Sequence, residues 1–289
     1  MQGRSWKQAS IAKSIMNSRR RFLVDLGKVA ALVALTSVPF EIFAKKETLK
    51  LTELHANDVY SHVKPFPEND PKYAGRSGVA RKAAIIKEIR RSEENVLLLD
   101  AGDIFHGTSY FNKYDGSLEL RLISKMGYDT ATIGNHDFDY GMDVLNAQLH
   151  HAKIPFISAN YDFSETVLSG KTISYKIFEK GGLRIGVFGL GFEWQGPVNP
   201  KLFGNTPDLA VKAAESDKVL AEESKNIDVF IGGYTYYRYR NREGKEALVA
   251  QTGWAGLDLG RIDFFYEKKN RKMSATGRTV EISKMSSVI

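Results

Sequence analysis

The stretch that most limits what this chain can fold into is Ala131-Thr132-Ile133-Gly134-Asn135-His136-Asp137-Phe138-Asp139. A short apolar run ends there in an amide, an imidazole and carboxylates. A strand that stops in such a cluster presents polar groups at one rim of a sheet, where open α/β sheets build their sites. Other strand-like runs end the same way. Leu49 to Asn57 runs into Asp58-Val59-Tyr60, and Val96-Leu97-Leu98-Leu99 into Asp100-Ala101-Gly102-Asp103. Ile227 to Ile231 runs into Gly232-Gly233-Tyr234-Thr235-Tyr236. The fold must gather these strand ends on one side.

Between the runs the pattern is helical. Gly78 to Arg91 puts Val79, Ile85, Ile86 and Ile89 on one face, with Ser77 placed to cap it. Leu118 to Met126 is a second helix, with Gly127 as a left-handed cap, and Met142 to about Ala152 a third. Val96 to Leu99 reads as a strand buried on both faces. Glu53 breaks that expectation in the first strand, where a lone buried carboxylate is costly. Phe156 to Ala159 is a short strand, and Glu-Lys-Gly-Gly joins Tyr175–Phe178 to Leu183–Leu190 as a hairpin. Leu209 to Ser224 reads as helix, Ala247–Gln251 and Arg261–Tyr266 as strands, and Arg278–Ile282 as a last strand in a basic tail that starts at Lys268. Alternating strands and helices followed by strands predict α/β layers over one sheet or two facing sheets.

The absence of cysteine excludes thiolate catalysis, Cys-ligated zinc and disulfides. The net charge of +7 is concentrated at the front: residues 1–44 hold seven Lys/Arg and two acids, a net of +5, leaving +2 for the rest (7 − 5). Nucleic acid is therefore not the expected partner. Residues 1–44 instead read as an export signal. Ser18-Arg19-Arg20-Arg21-Phe22-Leu23, of twin-arginine type, precedes the apolar run Val29–Val38, Pro39 and a cleavage position at Ala44. That run is short for a stable membrane span, so the product is expected to be exported, periplasmic or extracellular.

Oxygen and imidazole groups at several strand ends suit hard or borderline divalent metals. Leu54-His55-Ala56-Asn57-Asp58-Val59-Tyr60, Leu99-Asp100-Ala101-Gly102-Asp103-Ile104-Phe105, Gly134-Asn135-His136-Asp137-Phe138-Asp139 and Ile231-Gly232-Gly233-Tyr234-Thr235-Tyr236 together resemble the calcineurin-like metallophosphoesterases. They resemble most the catalytic domain of the 5'-nucleotidase family, over roughly residues 47–285. The resemblance implies a four-layer α/β/β/α sandwich over residues 45–289 and two-metal hydrolysis of a small phosphorylated substrate such as a nucleotide. The implied cation pair is Mn, Fe, Zn or Mg. Asp58 would hold the first metal, Asp103 would bridge, and Asn135 would hold the second. His136, oriented by Asp137, would donate to the phosphate or the leaving oxygen.

The family pattern has histidine where this chain has Tyr60, Tyr234 and Tyr236. It also has a strand carrying a further ligand histidine between the hairpin and the last motif, where this chain has only loop and helix. Neutral phenol is a poor ligand, with a pKa of about 10. His62 and His106 lie near the first motifs as substitutes or as solvated loop residues. The expectation is a degenerate metal site on a sheet short of one strand, with hydrolysis weak or lost. The alternative is a non-catalytic binding or vestigial protein on the same scaffold. A third reading takes Tyr234 to Arg242 as a patch that stacks on bases. Base recognition in the family comes largely from a C-terminal domain, so a separate nucleotide-binding chain is a candidate partner.

Overall fold

The computed structural model describes residues 47–191, 226–233, 238–240 and 247–283. They belong to the unit Glu47–Ile289. The export signal, the helix expected at 209–224, and Tyr234 and Tyr236 lie outside the described residues.

The first strand, β1 (Thr48–Ala56), sits inside a seven-stranded sheet, antiparallel to β11 (Asp258–Glu267) and parallel to β2 (Val96–Asp100). Beyond β2 the sheet continues through β3 (Thr130–Thr132), β4 (Phe156–Ile157) and β5 (Thr172–Ile173), all parallel. At the other edge β12 (Lys272–Glu281) pairs with β11 along its whole length. The stretch read as a basic tail is therefore an edge strand. Its charged, alternating residues suit one paired and one solvated edge.

Period-2 alternation sorts β1 into two faces. Leu54 and Ala56 face a layer made by α1 (Val79–Ser92), α3 (Ser117–Met126) and α4 (Met142–Leu149), where Ile86, Ile89, Leu120, Ile123 and Leu145 bury against Leu98 and Ala131. A further short helix, α2 (Ser109–Tyr114), has no apolar periodicity to betray it; Thr108 caps it by accepting from Tyr110 N. Gly127 takes the left-handed cap at φ 73°, and Arg90 of α1 reinforces it by donating to Met126 O and Gly127 O, both at 2.6 Å. Ser77 does not cap α1. Its hydroxyl donates to Ala255 O at 2.6 Å, and Gly78 holds the cap position at φ 106°.

Leu51 faces the other way, with Leu97, Leu99 and Phe264. Against them pack a hairpin, β6 (Tyr175–Lys180) with β7 (Leu183–Phe188), and a separate sheet ordered β8 (Val229–Ile231), β10 (Leu248–Thr252), β9 (Arg238–Arg240). Among the described residues the second layer is thus two sheets, with no hydrogen-bonded ladder between β7 and β8. The stretch between the hairpin and β8, where the sequence suggested a missing strand, lies at residues 192–225, outside the described residues. No helix among the described residues is long and apolar enough to cross a membrane.

Candidate metal centre

The carboxyl ends of β1, β2, β3 and β8 meet at one rim. The loops after β1 and β2 are zipped together by backbone bonds: Asp58 N to Gly102 O (3.0 Å), Tyr60 N to Asp103 O (3.1 Å) and Ser61 N to Ile104 O (2.9 Å). Asp58, Tyr60, Ser61, Asp103 and His106 all have positive φ, between 48° and 81°. Such backbone is costly for non-glycine residues and persists only where surroundings hold it. The loop after β3 is drawn in just as tightly. A Cβ on Gly102 would lie 2.6 Å from Gly134 N, and one on Gly134 would collide with the Asp103 carboxylate. From the second layer, Gly233 approaches so closely that a Cβ there would lie 3.0 Å from Asp58 Oδ2.

Asp58, Asp103 and Asn135 are all buried at this rim. Asp58 Oδ2 accepts from Asn57 Nδ2 at 2.5 Å, and Asp103 Oδ1 accepts from the His136 backbone N–H at 2.8 Å. The Asp58 and Asp103 carboxyls bond each other, and the Tyr60 hydroxyl lies against both. It lies 2.8 Å from Asp58 Oδ1 and 3.3 Å from Asp103 Oδ2, in each case as the donor. The phenol's one proton serves mainly Asp58, at the shorter distance. Burial, with the neighbouring Asp137 and Asp58 charges, pushes the Asp103 carboxyl up to about 9. Burial likewise pushes Asp100 up to about 8, against the pull of the Lys82 charge.

Asp137 has a different role from the one its sequence position suggested. Its carboxylate accepts the backbone N–H groups of Gly134 (2.8 Å), Asp103 (3.1 Å), Ile104 (2.9 Å) and Phe105 (3.1 Å). Burial raises its pKa to about 6 despite those bonds. It ties the loops after β2 and β3 together and does not orient His136. That partner is Asp139, whose Oδ2 lies 2.8 Å from His136 Nδ1 and 3.1 Å from His106 Nδ1. His136–Phe138 is a 3₁₀ turn, in which residues three apart eclipse. The i, i+3 spacing of His136 and Asp139 was the signal available in the sequence.

All six histidines fall among the described residues, and their rings are engaged elsewhere. His55 turns to Glu53 inside the sandwich (2.9 Å), and His62 stacks on Phe66 at 4.6 Å. His106 and His136 share Asp139, and His150 packs on His151 at 3.8 Å. The His62 ring is held against Phe66 and the His106 ring against Asp139. Among the described residues no group of three or more His, Asp or Glu side chains is arranged to hold a metal ion. Asp58, Asp103 and Asn135 offer oxygen donors only, and the Tyr60 hydroxyl lies against the first two. Among the described residues this donor set is short of a full shell for a cation pair.

Residues 52–263 match the family of calcineurin-like phosphoesterases, and the chain belongs to that family. Its members use divalent metals. Within it the chain is similar to 5'-nucleotidases. The rat protein is 31% identical over 299 residues, covering 86% of this chain and 52% of the relative. The human protein is 32% identical over 281 residues, covering 80% and 49%. The crystal structure of a 5'-nucleotidase precursor from Thermus thermophilus superposes with a TM-score of 0.68 at 27% identity, covering 81% of this chain and 54% of that one. The chain spans about half the length of these relatives.

Proposed function

We propose that this chain is a 5'-nucleotidase-type phosphomonoesterase scaffold, exported by its N-terminal signal, in which two-metal hydrolysis of nucleotides is weak or lost. The observation that carries the reading is the position of the Tyr60 hydroxyl, within 2.8 Å of one site carboxylate and 3.3 Å of the other. Losing ligands from a metal shell lowers affinity steeply, because each cation is held by the sum of its donors. Asp58, Asp103 and Asn135 are the remaining ligand positions, and His136 with Asp139 is the remaining acid–base pair. Support for a nucleotide as the ancestral substrate comes from the relatives named 5'-nucleotidase. A separate nucleotide-binding chain is the partner we propose for base recognition.

The second reading, a non-catalytic binding protein on the same scaffold, is favoured by the same hydroxyl. One experiment separates the two. Hydrolysis of a generic aryl phosphate with added Mn²⁺ is measured for the unmodified chain and for the triple variant Tyr60→His, Tyr234→His, Tyr236→His. Background rates in the first and a gain in the second support an impaired hydrolase. Turnover in the unmodified chain overturns impairment. No gain in the variant implicates the strand we propose to be missing between the hairpin and β8 and favours the binding protein.

A further inference from the structure

Residues 45–289 carry a net charge of only +2 (7 − 5), yet four of their cations stand together. Lys268-Lys269-Asn270-Arg271-Lys272 closes the hairpin between β11 and β12, and Lys268, Lys269, Arg271 and Lys272 are all exposed. Among the described residues none of these four side chains takes part in an ion pair or a hydrogen bond. The adjoining Glu267 carboxylate accepts instead from Asn270 Nδ2 at 3.0 Å. Elsewhere on the surface Arg91 is matched to Glu88 at 3.0 Å.

The turn is held in place. The β11–β12 ladder runs up to the pair Glu267 and Lys272, and Lys268 N donates to Glu47 O at 2.9 Å. Arg271 has φ 52°. Glycine takes such backbone without cost and arginine does not, so local turn energetics do not account for a cation there. Glu47 is also where residues 1–46 enter the domain. That segment holds nine Lys/Arg, the seven of residues 1–44 with Lys45 and Lys46, against two acids, and so adds charge of the same sign. The export signal proposed for residues 1–44 delivers the chain to a membrane. Thr48 pairs with Glu267, at the opposite end of β1 from Asp58. A strand of that length spans about 30 Å, so a body that covers the tip leaves the rim open.

Charge without enclosure selects the class of partner. Four exposed cations along a hairpin turn do not surround a small anion, and residues 268–272 include no aromatic ring on which a base could stack. A broad anionic surface engages several such cations at once, each strengthening attachment about fivefold. We propose that the β11–β12 tip docks on the anionic headgroups of a lipid bilayer. The contact needs neither a metal nor a phosphoester substrate, so it stands or falls separately from the hydrolase reading.

The test is co-sedimentation of the full chain with vesicles of phosphatidylcholine alone and of phosphatidylcholine mixed with phosphatidylglycerol. Residues 1–44 are basic too, so the tip is read as a difference between variants of the full chain. Lys268→Gln, Lys269→Gln, Arg271→Gly and Lys272→Gln together should weaken binding to the phosphatidylglycerol vesicles about a hundredfold. Lys87→Gln, Lys125→Gln, Lys153→Gln and Lys171→Gln together remove the same charge from scattered exposed positions and should weaken it no more than about twofold. Arg271→Gly alone relaxes the turn; it should weaken binding about fivefold with no fall in the urea midpoint, which separates lost charge from lost fold. Equal binding by the unmodified chain and the tip variant overturns the proposal. So does an equal loss in the scattered-lysine variant, which would mean that net charge alone is read. A DNA duplex held by the tip as tightly as the vesicles would make it a general polyanion site and overturn the assignment to lipid.

Discussion

Replacing Tyr60 by Phe removes one oxygen atom from the point where Asp58 and Asp103 come together. The ring is 8% exposed and stays where it is, edge-on to His136 with centroids 5.4 Å apart. What goes is a good hydrogen bond of 2.8 Å to Asp58 and a long one of 3.3 Å to Asp103. A hydrogen bond to a charged group contributes about 1.5–3 kcal/mol. Asp58 keeps its bond from Asn57 and Asp103 keeps its bond from the His136 backbone, so neither carboxylate is stripped bare. The loss should therefore be about 2 kcal/mol. For a domain of this size that is a fall in Tm of about 4–8 °C. The assay is urea unfolding followed by tryptophan fluorescence in the presence of a chelator, with the midpoint lowered and the slope unchanged. A midpoint that does not move, or that rises, refutes the bridging role of the hydroxyl and with it the main reason for doubting a cation between the two carboxylates.

The other predictions concern the frame around that point. Asp137→Ala strips the acceptor from four backbone N–H groups and should cost about 3 kcal/mol or more in urea unfolding. Asp139→Ala, by contrast, should leave stability nearly unchanged but shift the His136 and His106 ring resonances in NMR spectra. Gly134→Ala forces a Cβ into the Asp103 carboxylate and should cost about 2 kcal/mol by the same measurement. The last concerns pH. Burial alone would raise the pKa values of Asp263 and Glu93, but Arg261 and Thr52 on the first, and Lys50 and Arg261 on the second, hold both below their ordinary values of 3.8 and 4.5. With the folded values below the unfolded ones, the stabilisation is present above those ordinary values and is lost as pH falls through the depressed ones. Arg261→Ala should cost about 3 kcal/mol at neutral pH and flatten the acid limb of the stability curve.

The parts of the fold visible in the sequence are those where local pattern and tertiary setting agree. Val96 to Leu99 is apolar throughout because β2 is covered on both faces, and Gly127 ends α3 because only a left-handed residue fits there. The misreadings come from contacts made at a distance. Ser77 stands where a cap belongs, yet its hydroxyl is claimed by Ala255, far along the chain. Residues beyond Lys268 look like a tail until β11 supplies their register. At the site, motif spacing located Asp58, Asp103 and Asn135 at one rim. The family resemblance implied Asp137 as the partner of His136, but adjacency in sequence says nothing about which way a side chain points on a 3₁₀ turn. Glu53 was legible as an anomaly. Its half-satisfied state became visible only once His55 had been placed.

We propose that the donors left around Asp103 cannot keep two cations. It is tested most directly by dialysing the purified full chain against micromolar free Mn²⁺ and, separately, Zn²⁺, and measuring bound metal per chain by mass spectrometry. The account predicts well under one tightly held cation per chain, unchanged by Asn135→Ala. Two stoichiometric cations per chain, lost on Asp103→Asn, would contradict it.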